Sequence, residues 1–331
     1  MRISILGGGS WGTALAHVFA GREGRAVSML VRSDETAREI TGRHTNERYL
    51  PGCRIHALVS ADTDPGAVIP GADVIVLAVP CQAMRGFLRS VASLIPSHAS
   101  LICASKGLER GTHALMSRVV AEELPSMAGR YAILSGPSFA REVMHGLPTA
   151  VVLGCGDKQL AERLREELST PMFRVYSNQD VTGVECGGAL KNVMALAAGI
   201  ADGLGFGHNS RAALITRGLA ETSRLGEALG GNAGTFMGLS GMGDLVLTAT
   251  GDLSRNRQVG LRLGGGEALD DILASMRHVA EGVPTTEAAF DLGGKLSIDL
   301  PITRAMHSIF HGKVSPESAV RDLMGRALKD E

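Results

Sequence analysis

The sequence predicts an α/β fold, a doubly wound and mostly parallel sheet, followed by a C-terminal all-α domain. Three observations predict it. The chain opens with a short apolar strand that runs through a glycine-rich loop into a helix. Short apolar strands then alternate with helical segments, as in parallel sheets that are buried on both faces. After Asp180, stretches rich in Ala, Leu and Gly replace the strands. We therefore expect two domains, residues 1–180 and 181–331.

The first element is the strand Arg2–Leu6, which leads into a G-x-G-x-x-G loop and then into the helical segment Thr13–Ala20. In this arrangement Gly7 makes a tight turn, Gly9 lets the backbone approach a pyrophosphate, and Gly12 lets the helix pack closely on the strand. The positive end of the helix then faces the anion. The opening residues therefore predict a Rossmann-type dinucleotide-binding domain.

The remaining elements follow in order. Six further strands are predicted at Ala26–Val31, Asp73–Val79, Ser100–Ala104, Tyr131–Leu134, Thr149–Leu153 and Phe173–Tyr176. Helical patterns lie between several of them, at Glu35–Thr41, Gln82–Leu94, Ala114–Glu123 and Gln159–Leu168. Two long helices are predicted beyond the sheet, at Val181–Leu204 and Ser210–Leu229. Their many small residues predict that helices of the second domain pack closely together.

Composition excludes several classes of protein. Apolar residues make up 44% of the 331-residue chain and charged residues 20%, so we expect a globular protein rather than a disordered one. The formal net charge is −1, so there is no excess of positive charge to bind nucleic acid or an anionic membrane surface. We find no uninterrupted apolar run long enough to span a bilayer and therefore expect no integral membrane segment.

The cysteines indicate a reducing compartment. They occur singly, without any C-x-x-C pair, so neither a disulfide framework nor a structural zinc site is expected, and we predict no metal. Because the first predicted strand begins at Arg2, we also expect no signal peptide. The expected location is the cytoplasm. The five cysteines are Cys53, Cys81, Cys103, Cys155 and Cys186.

The choice between the two nicotinamide cofactors depends on the end of the second strand. An acidic residue there binds the ribose 2′-hydroxyl, whereas an arginine accommodates a 2′-phosphate. Arg32 occupies this position, and Asp34 fits better as an N-terminal residue of the next helix. We favour NADPH, with NADH possible. The alternative is that Arg32 is an ordinary solvated side chain.

Lys191 stands in an otherwise apolar helical segment, Gly187–Ala195. The ammonium group of such a lysine either reaches solvent through the long aliphatic side chain or is held inside the protein. Held inside, it becomes a usable proton donor or acceptor.

Four further clusters carry polar groups suited to a ligand. Lys106 follows a strand end, where doubly wound folds bind ligands, and Gly136–Ala140 follows another. Gly241–Asp244 presents a carboxylate, and Ser254–Arg257 opens a helix with a Ser, an Arg and an Asn suited to a phosphate. Each cluster also has a purely structural interpretation as a turn, a cap or a solvated side chain.

These clusters belong to longer segments that occur in the same order in one family. Over nearly its full length, the chain resembles the soluble NAD(P)-dependent glycerol-3-phosphate dehydrogenases of bacteria. The segments that carry the resemblance are GGGSWGTALA at 7–16, ASKGLE at 104–109, LSGPSFAREV at 134–143, the long block at 174–221, GLSGMGDLVLT at 238–248 and SRNRQVG at 254–260. The chain departs from the family's usual sequence at Gly8 and after Glu281.

The resemblance implies roles for individual residues. Lys191 matches the proton acceptor for the oxidation of glycerol 3-phosphate. Positions around the substrate are matched by Lys106, Gly136, Ser138, Asp244, Ser254, Arg255 and Asn256, and Asn192 and Thr248 match positions in the same polar site. Cofactor positions are matched by Ser10, Trp11, Arg32, Tyr49, Lys106, Ala140, Arg255, Val279 and Glu281.

The resemblance further implies the interconversion of dihydroxyacetone phosphate and sn-glycerol 3-phosphate, a role in glycerophospholipid synthesis, and a homodimer. In the reducing direction Lys191 is expected to donate a proton to the carbonyl oxygen while Lys106 stabilises its charge, with Asp244 orienting both ammonium groups. Arg255 and Asn256 are expected to hold the substrate phosphate.

Two alternatives remain open at this point. The first is a reductase of another small ketone or hydroxy acid on the same two-domain plan. The second is a non-catalytic NADPH-binding sensor, which would carry the glycine loop without a residue for proton transfer. Lys191 and Lys106 argue against the sensor.

Overall fold

The computed structural model describes residues 1–276 and 280–326 of the chain. The chain divides into two compact units. The first consists of Met1–Lys106 and Ala114–Glu185, and the second of Gly107–His113 and Cys186–Glu331. The sequence predicted a boundary after residue 180, whereas this division falls at Glu185, inside a helix. A helix can continue across such a division because its backbone hydrogen bonds are all internal.

The first unit is built on one eight-stranded sheet. The strands are β1 (Arg2–Leu6), β2 (Ala26–Leu30), β3 (Val59–Asp62), β4 (Val74–Leu77), β5 (Ser100–Cys103), β6 (Tyr131–Ser135), β7 (Thr149–Gly154) and β8 (Phe173–Asn178). Their order is β3-β2-β1-β4-β5-β6-β7-β8. All neighbours pair in parallel except β6 and β7, which are antiparallel. The connection reverses direction at β1, next to β4, which is where doubly wound sheets bind ligands.

Seven helices accompany this sheet before the division. They are α1 (Ser10–Ala20), α2 (Asp34–Arg38), α3 (Pro65–Val68), α4 (Met84–Val91), α5 (Met116–Glu123), α6 (Ala140–Met144) and α7 (Lys158–Leu168). Every residue of β4, β5 and β6 is buried, as expected of central strands covered on both faces. A core of Ile3, Ile5, Phe19 and Phe173, among others, packs α1 on the sheet.

The predicted fold class is confirmed, with two local differences in the sheet. Each predicted strand is present, but β3 was missed because its sequence, Val-Ser-Ala-Asp, has a single large apolar residue. It is an edge strand that alternates between buried and exposed residues, so it lacks the apolar run of a central strand. The antiparallel β7 was also not predicted. Its link to β6 contains the five-residue α6 and no longer helix of the kind that usually makes a parallel crossover.

The second unit contains no strand in its described part, as predicted for the C-terminal half. Its helices are α8 (Val181–Gly203, which begins in the first unit), α9 (His208–Ala228), α10 (Ala233–Phe236), α11 (Asp244–Thr250), α12 (Arg255–Gly264), α13 (Leu269–Ser275), α14 (Gly282–Lys295), α15 (Pro301–Phe310) and α16 (Pro316–Met324). A π-helical turn, Leu239–Gly243, leads directly into α11.

Glycines bring α8 and α12 into backbone contact. A Cβ atom on Gly199 would lie 2.1 Å from the Arg257 carbonyl oxygen, and one on Gly203 would lie 2.3 Å from that of Leu261. The relation is reciprocal, since a Cβ on Gly260 would lie 2.1 Å from the carbonyl oxygen of Leu196 on α8. Such distances are far inside van der Waals contact, so only glycine fits. The predicted close approach of small residues is therefore present here.

One helix departs from the expectation about membranes. By length and composition, α8 is apolar enough to cross a bilayer, although the sequence reading found no such segment. However, 94% of its most apolar 18-residue window is buried inside the protein. The core helix of a globular protein has the same composition, because a helix that is apolar all round must be covered.

Candidate active site

The glycine loop Gly7–Gly12 of the first unit has the shape that each of its glycines was predicted to allow. Gly7 has a φ of +130°, and a Cβ there would lie 2.4 Å from the Ala78 carbonyl oxygen. A Cβ on Gly12 would lie 2.2 Å from the carbonyl oxygen of Gly7. Gly9 differs, because a Cβ there would meet nothing within 4 Å. Two glycines thus close the turn, and the third leaves open space in front of α1.

A buried asparagine that sequence reasoning missed supports this loop. Asn46 is fully buried, and its Nδ2 donates to the Gly8 carbonyl oxygen at 3.0 Å and to the Thr13 hydroxyl at 2.9 Å. It therefore ties the loop to the first turn of α1 from a segment distant in sequence. Asn46 stands in a run of polar residues at 43–48, without any periodic pattern, so nothing in the sequence distinguishes it from its exposed neighbours.

Three predicted cofactor residues lie together near the start of α1. The Ser10 hydroxyl donates to the Tyr49 carbonyl oxygen at 2.9 Å. Arg32 follows β2, and its guanidinium donates to the Tyr49 hydroxyl at 3.4 Å. Asp34 lies in the first turn of α2 behind the capping Ser33, as predicted, and accepts a hydrogen bond from Thr63. Of the two charged residues after β2, Arg32 and Asp34, Arg32 therefore remains the candidate for binding the ribose end of the cofactor.

These residues fit a dinucleotide. Gly9 caps α1 without any side-chain hydrogen bond, so the backbone N–H groups of the first turn are available to a phosphate. The Nε1 of Trp11 is buried and has no hydrogen-bond partner among the described residues. An orphaned donor beside an open glycine is expected where a ligand supplies the missing acceptor.

The predicted substrate residues of the first unit converge on one carbonyl group. Lys106 donates from Nζ to the Gly136 carbonyl oxygen at 3.2 Å, and the Ser138 hydroxyl donates to the same oxygen at 3.0 Å. Gly136 has a φ of +126°, and a Cβ there would lie 3.0 Å from the Cα of Val151 on β7. Ala140 begins α6 at the end of this segment. Strand ends thus bring Lys106, Gly136 and Ser138 together, and Ala140 follows two residues later.

Lys191 is held inside the second unit. It is 9% exposed, and its Nζ contacts the carboxylate of Asp244 and donates to the Thr248 hydroxyl at 2.9 Å. Gly187 explains the approach, since a Cβ there would lie 2.7 Å from the Ser240 carbonyl oxygen in the turn before α11. Lys191 is one turn further along α8 and therefore faces α11. The structure selects the buried alternative for this lysine.

Asn192, the next residue of α8, faces α12 instead. Its Oδ1 accepts a hydrogen bond from the Asn256 Nδ2 at 2.9 Å, and the Asn256 Oδ1 accepts from the Gly282 N–H at 3.0 Å. Both asparagines are buried. The pair therefore joins α8, α12 and the start of α14, a structural task in addition to the predicted contact with substrate.

The beginning of α12 combines a cap with a cation. The Ser254 hydroxyl oxygen accepts the Arg257 backbone N–H at 3.2 Å, which confirms the predicted N-cap. Arg255 is exposed at the surface, but the protein around its guanidinium partly desolvates it and lowers its pKa, and the charge of Glu281 opposes that shift. Arg255 and Glu281, two predicted cofactor residues, are therefore close enough to interact. Val279, a third, lies outside the described residues.

Taken together, an open glycine loop on a doubly wound sheet and a buried lysine–aspartate pair in a helical unit define a dinucleotide-dependent oxidoreductase. Comparison with known proteins agrees. The model of the N-terminal part of NAD-dependent glycerol-3-phosphate dehydrogenase matches residues 2–161, and that of the C-terminal part matches residues 180–321. The chain belongs to the NAD-dependent glycerol-3-phosphate dehydrogenase family.

Relatives and solved structures extend over the whole chain. Glycerol-3-phosphate dehydrogenases [NAD(P)+] of Nitratidesulfovibrio vulgaris (strain DP4) and Oleidesulfovibrio alaskensis are each 55% identical over 331 residues, which is 100% of both sequences. The crystal structure of glycerol-3-phosphate dehydrogenase from Coxiella burnetii is 40% identical, with a TM-score of 0.92, and the match covers 98% of this chain and 99% of that one.

Proposed function

We propose that this protein reduces dihydroxyacetone phosphate to sn-glycerol 3-phosphate with NADPH or NADH, and that Lys191 is its proton donor. The observation that carries the proposal is the buried contact of Lys191 with Asp244 and Thr248 in a chain of this family. A neighbouring carboxylate favours the charged form of an ammonium group and holds it in one orientation, as a general acid requires.

When bound, the reduced nicotinamide supplies the hydride. Negative charge then develops on the oxygen of the ketone, and the Lys191 ammonium stabilises this charge and transfers a proton to it. Asp244 accepts from Lys191 and fixes the direction of its N–H bonds. In the oxidation direction, the same amine removes the proton. Lys106, held at the Gly136 carbonyl oxygen with Ser138 beside it, is proposed as a second cation for the substrate.

The substrate phosphate is assigned to the beginning of α12. The helix N-terminus carries partial positive charge, Arg255 adds a full charge, and the capping Ser254 retains a hydroxyl proton to donate. Asn256 and Asn192 hold this helix start against α8, so phosphate binding and the position of Lys191 depend on the same packing.

The cofactor is assigned to the glycine loop. The first turn of α1 would receive the pyrophosphate, with Gly9 leaving room for it and Trp11 supplying the unpaired Nε1. Arg32 and Tyr49 would hold the adenosine ribose end and favour NADPH through its 2′-phosphate. Ser10, Ala140 and Glu281 complete the proposed cofactor residues.

We propose a cytoplasmic homodimer that supplies glycerol phosphate for phospholipid synthesis, with residues 1–180 binding the cofactor and 181–331 carrying the proton-transfer residues. Support comes from the family and from the five buried cysteines, none of which forms a disulfide bond, as suits a reducing compartment.

The test is to follow the oxidation of NADPH and of NADH with dihydroxyacetone phosphate and, separately, with unphosphorylated dihydroxyacetone. We expect turnover that depends strongly on the phosphate, and Arg255→Ala should raise the KM for the phosphorylated ketone. Equal kcat/KM for both ketones would instead indicate a reductase of a different small ketone. Binding of NADPH without turnover of either ketone would indicate a sensor.

A further inference from the structure

Two histidines and a glutamate converge at a point of the second unit that the proposed reaction does not use. His307 on α15 and His311 directly after it are four residues apart, so they lie on one face of the helix. Glu287 lies on α14, which packs against α15. The side-chain ligand atoms of these three residues lie within 4.8 Å of one another.

The distances are long for hydrogen bonds and also fit a shared metal ion. The Nε2 atoms of His307 and His311 each lie 3.3 Å from the same oxygen, Oε2 of Glu287. A charge-assisted N–H···O hydrogen bond is shorter, about 2.7–2.9 Å. Ligand atoms bound at about 2.0–2.1 Å to a tetrahedral zinc ion, in contrast, lie about 3.3–3.4 Å apart.

The surroundings hold the ligands in place and leave a side open. The His307 ring stacks on Phe290 of α14, with centroids 3.8 Å apart and an interplanar angle of 8°, which fixes the plane of the imidazole. The side chain of His307 is 11% exposed and that of Glu287 26%, whereas that of His311 is 48% exposed. An ion could therefore enter past His311 and keep water as a further ligand.

We propose that Glu287, His307 and His311 form a binding site for a divalent transition metal of the zinc type, which joins α14 to α15. Two imidazoles and one carboxylate suit Zn²⁺, Ni²⁺, Cu²⁺ or Co²⁺, while Mg²⁺ and Ca²⁺ prefer all-oxygen sites. The site is separate from hydride transfer and stabilises the helical unit. It was not predicted from the sequence, because the cysteine spacing gave no metal motif and Glu287 lies one helix away from the histidines.

The test is to titrate the metal-free full-length protein with Zn²⁺ in competition with a chromophoric chelator. We expect one Zn²⁺ per chain, and Glu287→Gln and His311→Ala should each weaken binding about tenfold or more. The matched control is His98→Ala, an exposed histidine of the first unit, which should leave binding unchanged. Unchanged binding in Glu287→Gln and His311→Ala would overturn the site.

Two further readouts make the result independent of enzymatic activity. Bound Zn²⁺ should raise the Tm of the parent protein and not that of His311→Ala, since a ligand stabilises only the state that binds it. Co²⁺ should give the visible spectrum of a tetrahedral site with nitrogen and oxygen ligands. A thiolate charge-transfer band would place the metal on cysteine instead and overturn the proposal.

Discussion

At the scale of single residues, two neighbours on α11 hold the Lys191 ammonium in place. Asp244 supplies the opposite charge, and Thr248 accepts a hydrogen bond from Nζ at 2.9 Å while donating to the Asp244 carbonyl oxygen at 2.6 Å. Thr248 therefore fixes the position of the Lys191 ammonium relative to the first turn of α11. Removing either partner should disturb the orientation of Lys191 before it disturbs the fold.

Thr248→Val should lower kcat for dihydroxyacetone phosphate by about 10- to 150-fold, since a hydrogen bond to a charged group contributes about 1.5–3 kcal/mol and each 1.36 kcal/mol is about tenfold. Thr250→Val is the matched control. Thr250 lies on the same helix and donates to the Val246 carbonyl oxygen at 2.7 Å, but it is exposed and does not contact the lysine. Steady-state kinetics of both variants checks this, and equal kcat values would remove Thr248 from the orientation of Lys191.

Arg32 should decide between the cofactors. Arg32→Ala should raise the KM for NADPH about tenfold or more and leave the KM for NADH unchanged, because only NADPH carries the 2′-phosphate. Arg38→Ala is the control, since Arg38 is an exposed arginine whose Nε donates to the Asp34 carbonyl oxygen. If both KM values change to a similar extent, or if neither changes, Arg32 does not bind the 2′-phosphate.

At the scale of elements, the decisive contact is between α8 and α12. Glycines on both helices remove the side chains that would otherwise separate them, and the Asn192–Asn256 hydrogen bond lies along the same pair of helices. This approach places Lys191 on α8 and the proposed phosphate site at the start of α12 within one rigid pair. Packing, not helix propensity, therefore sets the geometry, since glycine is a poor helix former.

Gly260→Ala should destabilise the protein by about 1–3 kcal/mol, the usual cost of overpacking, because the added methyl group would meet the Leu196 carbonyl oxygen of α8. Gly294→Ala on α14 is the control, since a Cβ there meets nothing within 4 Å. Denaturant unfolding of the two variants compares them. A Gly260→Ala variant as stable as Gly294→Ala would mean that the two helices are not in backbone contact.

Some of these elements could be predicted from the sequence, and others could not. Apolar β-branched runs such as Val74–Leu77 identify buried strands, and the glycine loop follows its strand directly, so the fold and the cofactor loop could be predicted. Residues that act across long sequence separations could not. Asn46, which holds the glycine loop, and Glu287, which faces two histidines, become visible only once the chain is folded. β3 was missed because half of it faces water.

At the scale of the whole molecule, the division of the chain falls beside a buried carboxylate. Glu185, near the start of α8, accepts hydrogen bonds from the Ser117 N–H at 2.8 Å, the Ser117 hydroxyl at 2.6 Å and the Tyr131 hydroxyl at 2.6 Å. Burial nevertheless raises the pKa of Glu185, and these hydrogen bonds only partly offset the shift. Its protonation is therefore linked to the stability of the protein.

A pKa that is raised in the folded state contributes stability that is fully present below the ordinary glutamate pKa, about 4.3, and is lost as the pH rises through the raised value. The Tm of the parent minus that of Glu185→Gln should therefore fall as the pH is raised from about 4 to about 7. Glu166→Gln, at an exposed position, serves as the control in thermal unfolding. A difference that stays constant or grows over this range would contradict the linkage.

The proposed reaction requires that Lys191 transfers the proton. Lys191→Arg tests this, because arginine keeps a positive charge beside the buried Asp244 but does not give up its proton in proteins. In steady-state reduction of dihydroxyacetone phosphate by NADPH, we predict that kcat falls by about 10²–10⁴, the usual contribution of general acid catalysis, while the Kd of NADPH is unchanged. A kcat close to that of the parent enzyme would contradict the claim.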